Sequence, residues 1–198
     1  MAEPWKELAS REQDVAAVRG LALGGLLVGV LLLLGGAFLG KFAGGWYFLY
    51  PVPFKGEWPA WSAVAFLLSL TVLGATWLVW TLDLLRAIAK KYTLTQALGW
   101  HYLAGRDEPA IPPSIMIITV SLIAGVAALA AGVIVLVLFY QEVFTGAASD
   151  ALMVKNLTFF FGHTLVNLAM YLGVAAAYEV LPQYAGRPWK ANKIVAIS

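Results

Sequence analysis

Residues 18–39 read VRGLALGGLLVGVLLLLGGAFL, a run made almost wholly of Leu, Val, Gly and Ala. As a helix rising about 1.5 Å per residue it crosses the roughly 30 Å hydrocarbon core of a bilayer. Its glycines, Gly20, Gly24, Gly25, Gly29, Gly35 and Gly36, are poor choices for a soluble helix. In lipid, small residues let helix backbones approach closely, so the run is expected to pack against neighbouring helices. Simple apolar filler is the competing reading. The mixed-charge stretch before it (Lys6, Glu7, Arg11, Glu12, Asp14, Arg19) and its length both differ from a cleaved signal, whose apolar region spans about 7–15 residues. A retained membrane helix is expected.

Three further apolar runs follow, over 61–82, 114–140 and 157–181. Between the first two, Gly44, Gly45, Pro51, Pro53, Gly56 and Pro59 interrupt regular structure. Trp46, Tyr47, Tyr50, Trp58 and Trp61 around them suit the headgroup level of a membrane. The connection 87–113 is the longest polar stretch, and a short loop over 141–155 precedes the fourth run, which Pro182 is expected to close. After it, Ile194, Val195, Ala196 and Ile197 read as the first turn of another helix. The fold class is therefore all-α: one integral membrane bundle of four transmembrane helices over 1–198.

Composition agrees. The chain of 198 residues is 61% hydrophobic and 12% charged, whereas soluble proteins are about 25% charged. A net charge of +2 without a basic stripe gives no footprint for nucleic acid. The absence of cysteine excludes disulfides, thiolate metal sites, iron–sulfur clusters, covalently attached haem c and a two-cysteine dicopper centre. Basic residues are asymmetric. Lys6, Arg11, Arg19, Arg86, Lys90, Lys91, Arg106, Arg187, Lys190 and Lys193 fall on one side, against Lys41, Lys55 and Lys155 on the other. The positive-inside rule then predicts a multi-pass protein with both termini in the cytoplasm, and a prokaryotic cytoplasmic membrane is the expected location.

Polar side chains within a span are costly and therefore the first functional candidates. In the fourth run, His163 and Asn167 are four residues apart and share a helix face. A neutral imidazole deep in the span needs a metal, a hydrogen-bond acceptor or a second helix, and a hydrogen-bonded packing histidine competes with a metal ligand. The other histidine, His101, lies beside Trp100 and Tyr102 and reads as an interfacial residue. Asp83, Glu142 and Glu179 near span ends read as snorkelling or interfacial groups, with a proton relay as the sharper alternative. Thr71, Thr76, Thr119 and Ser121 fit either a polar channel or interhelical contacts. Trp77 and Trp80 read as packing residues rather than an electron path.

Four motifs in order carry a family resemblance. They are Tyr50-Pro51-Val52-Pro53-Phe54-Lys55-Gly56-Glu57-Trp58, Leu82-Asp83-Leu84-Leu85-Arg86, Phe160-Phe161-Gly162-His163, and Tyr178-Glu179-Val180-Leu181-Pro182-Gln183-Tyr184-Ala185-Gly186. The chain resembles polypeptide I of the haem–copper oxidoreductase superfamily, especially B-type oxidases and nitric oxide reductases, over helices three to six of a twelve-helix subunit. The resemblance implies that His163 is a ligand of the non-haem metal (copper or iron) facing the high-spin haem. The remaining metal histidines and those holding the haems (b, a or o) would come from helices outside this chain, which has two histidines in total. A split or truncated subunit is therefore expected, with a companion polypeptide and an electron-donor subunit as partners.

Two departures bear on the reaction. Thr164 stands where the family has proline, which straightens the helix slightly. Asn167 stands where oxygen reductases carry the tyrosine joined to the histidine, the source of an electron and a proton for splitting dioxygen. An amide forms no tyrosyl radical, whereas joining two nitric oxide molecules requires none. The resemblance, with Asn167 as the candidate catalytic residue, therefore favours nitric oxide reduction over oxygen reduction. A non-catalytic scaffold or assembly subunit is the opposing expectation. A small transporter is disfavoured, because no paired intramembrane charges are present.

Overall fold

The computed structural model describes residues 4–42, 52, 54, 56–107, 109–187 and 192–197. In chain order they form α1 (Pro4–Leu34), a π-helical turn (Gly35–Leu39), α2 (Ala60–Tyr92), α3 (Leu94–Ala97), α4 (Trp100–Leu103), α5 (Pro113–Thr145), α6 (Ala151–Ala185) and α7 (Asn192–Ile197). The described residues contain no strand. Four stretches are long and apolar enough to cross a membrane: Val15–Leu39, Ala60–Tyr92, Pro113–Thr145 and Ala151–Ala185. The fold is an all-α membrane bundle. Trp46, Tyr47 and Tyr50 of the aromatic loop, and Pro51, Pro53 and Lys55 of the first motif, lie outside the described residues.

The helices overrun the expected spans, and each extension has a local cause. From Asp83 to Lys91 no Gly or Pro interrupts α2, and Lys90 and Lys91 in its last turn complement the helix dipole. It stops at Thr93, whose φ of 61° is left-handed and whose hydroxyl oxygen accepts from the Gln96 amide at the start of α3. Much of the connection 87–113 is therefore helical rather than irregular. Helix α5 runs through Gln141 to Thr145 and ends before Gly146, whose φ is 72°. Helix α6 opens on Asp150, whose Oδ1 accepts from the Met153 amide at 2.6 Å.

Pro182 does not close α6, contrary to the sequence expectation. The helix continues to Ala185 and ends at Gly186 (φ 61°). There the Gly186 amide donates to the Gln183 carbonyl at 3.3 Å and the Arg187 amide to the Pro182 carbonyl at 3.2 Å. This is the double bond pattern of a Schellman cap. A proline so near the end removes only one bond of the ladder.

The chain divides into two compact units, residues 1–80 with 131–159 and residues 81–130 with 160–198. In the first, α1 and the π-helical turn after it pack on α2 through glycines. A Cβ on Gly25 would collide with the Thr76 hydroxyl, one on Gly29 would lie 2.6 Å from Leu73 Cγ, and one on Gly36 would lie 3.1 Å from the Ser62 carbonyl. Close approach thus accounts for these three positions, whereas Gly20, Gly24 and Gly35 have nothing within 4 Å. The core of this unit gathers Phe42, Phe54, Phe66, Leu67, Val135, Phe139 and Val154. Trp58 belongs to it: its ring meets Phe42 edge-on at 5.4 Å and its indole N–H donates to the Phe54 carbonyl. Thr71 and Tyr140 hydroxyls meet at 2.9 Å, linking α2 to α5.

In the second unit, Tyr102, Ile111 and Met116 are buried, with Tyr92, Ile115, Val195 and Ala196 packed against them. The Ile111 amide donates to the Tyr102 hydroxyl at 3.0 Å. Helix α7 meets α4 where Gly99 (φ 74°) lets the chain turn, and a Cβ there would lie 2.7 Å from that of Ala196. The apolar tail is thus a docked helical turn.

Candidate functional site

Helix α6 carries both candidate residues. His163 lies 12 positions beyond Ala151, roughly 18 Å along the axis at the helical rise, well inside the membrane-crossing length. His163 and Asn167 are both exposed, as is Tyr171 one further turn along. The covered side of the helix is marked by Leu168 (7% exposed) and Ala175 (1%), seven residues apart and so on one face. The α6 residues around the candidates are open as well: Phe160, Val166 and Met170 are 52%, 69% and 58% exposed.

The structure therefore aligns His163 and Asn167 on one face but gathers no ligand set around them. Among the described residues no group of three His, Asp or Glu side chains is arranged to hold a metal ion. An imidazole on an open helix face fits one ligand position of a metal shared with another chain. It does not fit a complete site. His101 lies on α4 against Tyr102, ring centroids 4.0 Å apart, and both its nitrogens lack a hydrogen-bond partner among the described residues.

The remaining polar candidates resolve into local contacts. Thr119 donates to the Ile115 carbonyl at 2.7 Å on its own helix, and Thr71 donates to the Leu67 carbonyl at 2.9 Å while its oxygen also meets the Tyr140 hydroxyl. Ser121 is buried. Glu179 accepts from the Ser114 hydroxyl at 2.9 Å, a partner that spacing along the sequence does not reveal. Glu142 Oε2, Thr158 Oγ1 and Thr81 Oγ1 are buried without a hydrogen-bond partner among the described residues. Tyr171 is the residue sequence reading passed over. Its signal was the spacing of four beyond Asn167, which puts it next on the same face.

A family model described as cytochrome c and quinol oxidase polypeptide I matches residues 7–198. No curated protein and no solved structure matches the chain.

Proposed function

Because the chain belongs to the cytochrome c and quinol oxidase polypeptide I family, we propose that it forms helices three to six of the catalytic subunit of a respiratory haem–copper reductase. In this reading His163 is one ligand of the non-haem metal. Companion helices supply the other histidines and carry the haems, an electron-donor subunit feeds the centre, and both termini lie in the cytoplasm of a prokaryote. The observation that carries the reading is the exposed pair His163 and Asn167 within a membrane-crossing helix. Polar side chains are costly against lipid, so a polar pair on the open face of a membrane-crossing helix supports a second protein surface lying against that face.

A metal held there would supply a redox-active binding position for a small diatomic substrate. Imidazole nitrogen is a suitable ligand for either copper or iron. The amide of Asn167, one turn from the ligand, has both a donor and an acceptor with which to orient a polar group near the metal. It has no ring that can release an electron. The chemistry that fits is reduction of nitric oxide, in which two molecules are joined with two electrons and two protons to give nitrous oxide and water, rather than four-electron cleavage of dioxygen. Oxygen reduction by the same centre, with a tyrosine from another helix, is the alternative.

Turnover of the purified complex decides. Nitric oxide consumption well above oxygen consumption is expected, and ordinary oxygen reduction with no nitric oxide consumption overturns the substrate assignment. A complex whose metal content and turnover are indifferent to His163→Ala is instead a scaffold.

A further inference from the structure

Helices α3 and α4 and the turn after them enclose a cleft of about 360 Å³ lined by Thr95, Gln96, Trp100, His101, Arg106 and Pro109. Among the described residues, every polar side chain in this lining carries a hydrogen-bond donor, and none is a carboxylate. A guanidinium flanked by hydroxyl, amide and indole donors matches the oxygens of a phosphate. The two ring nitrogens of His101 are screened from solvent and have no partner among the described residues. That arrangement costs free energy, and it is relieved if the ring turns an N–H toward an oxygen in the cleft.

The surroundings are those of a membrane surface. Leu94, Trp100 and Leu103 are 44%, 57% and 62% exposed on short helices that directly follow a membrane-crossing one. Apolar and indole groups in that position suit the boundary between headgroups and acyl chains. Arg86, Lys90 and Lys91, exposed on the last turns of α2, add positive charge in the same unit.

We infer that this cleft binds the phosphate of an anionic phospholipid. Free phosphate offers the same oxygens, but only a lipid also covers Leu94, Trp100 and Leu103. The site is independent of the reaction proposed for His163.

The test uses the intact complex in nanodiscs of phosphatidylcholine containing a minor fraction of phosphatidylglycerol. After extraction in mild detergent, retained lipid is counted by native mass spectrometry. Phosphatidylglycerol is expected above its bulk fraction, and Arg106→Gln is expected to lower its retention at least about fivefold, the factor one basic residue contributes at a membrane surface. Arg187→Gln, a basic residue outside the cleft, is expected to leave retention unchanged. Equal losses in the two variants, or no loss with Arg106→Gln, overturn the proposal. So does complete displacement of the lipid by millimolar inorganic phosphate, which would make the cleft a free-anion site.

Discussion

The Ser114 hydroxyl donates to Glu179 Oε2 at 2.9 Å, tying the first turn of α5 to the penultimate turn of α6. Ser114 is 7% exposed and has little access to water as a substitute. Ser114→Ala is expected to lower stability by about 1 kcal/mol, the net worth of such a bond. Thermal unfolding of the complex in detergent measures the loss. Glu179→Gln keeps an acceptor oxygen and should cost less.

His163 is exposed, so its removal opens no buried cavity in the bundle. His163→Ala is expected to abolish stoichiometric non-haem metal while the helical circular dichroism of the complex stays unchanged. Metal analysis beside the far-ultraviolet spectrum separates loss of a ligand from loss of fold. Full metal retention by the variant would remove His163 from the ligand set.

Asn167 is assigned to orientation rather than to ligation. Asn167→Ala should therefore keep the metal and lower nitric oxide turnover by roughly 10²-fold, the scale for losing one positioned hydrogen-bonding group. Asn167→Asp, nearly the same size, should alter the pH dependence of turnover relative to the wild type. Turnover measured against pH at full metal loading checks both.

The glycines of the first membrane-crossing stretch are expected to divide into two classes. Gly29 faces Leu73 and Gly36 faces the Ser62 carbonyl, whereas Gly24 has nothing within 4 Å. Gly29→Leu and Gly36→Leu should each destabilise by about 1–3 kcal/mol through overpacking. Gly24→Leu should leave the chain's own packing unchanged. Resistance to detergent-induced unfolding ranks the three.

Gly99 combines a left-handed backbone with a close neighbour in α7. Gly99→Ala is expected to cost about 1–2 kcal/mol from the backbone alone, and more if Ala196 does not yield. Accelerated hydrogen exchange in α7, with α5 and α6 unchanged, is the expected signature. Unchanged protection of α7 would show that Gly99 does not hold it.

Much of this architecture was legible from the chain alone. A lipid-crossing helix must satisfy every backbone group internally and present about 20 apolar residues, so the spans announce themselves by composition. Asp150 before α6 and Gly146 and Gly186 after α5 and α6 are cap-forming residue types, but the backbone bonds at each helix end showed that they act as caps. The extension of α2 to Tyr92 and of α6 past Pro182 was less legible. Polar composition and a proline argue locally for a break, but a helix end is decided by the last backbone bonds it can make.

For the candidate site, the sequence determined the alignment of His163 with Asn167, since a spacing of four fixes a shared face whatever surrounds it. It did not determine which way that face points. In a soluble helix the polar side marks the solvent, but in a bilayer the covered and lipid-facing sides are both apolar, so α6 carries no amphipathic signature to read. Only the packing of Leu168 and Ala175 against the rest of the chain shows that His163 and Asn167 lie on the side left open. Tertiary structure alone likewise joined Ser114 to Glu179, because that bond spans 65 residues and depends on how two helices meet.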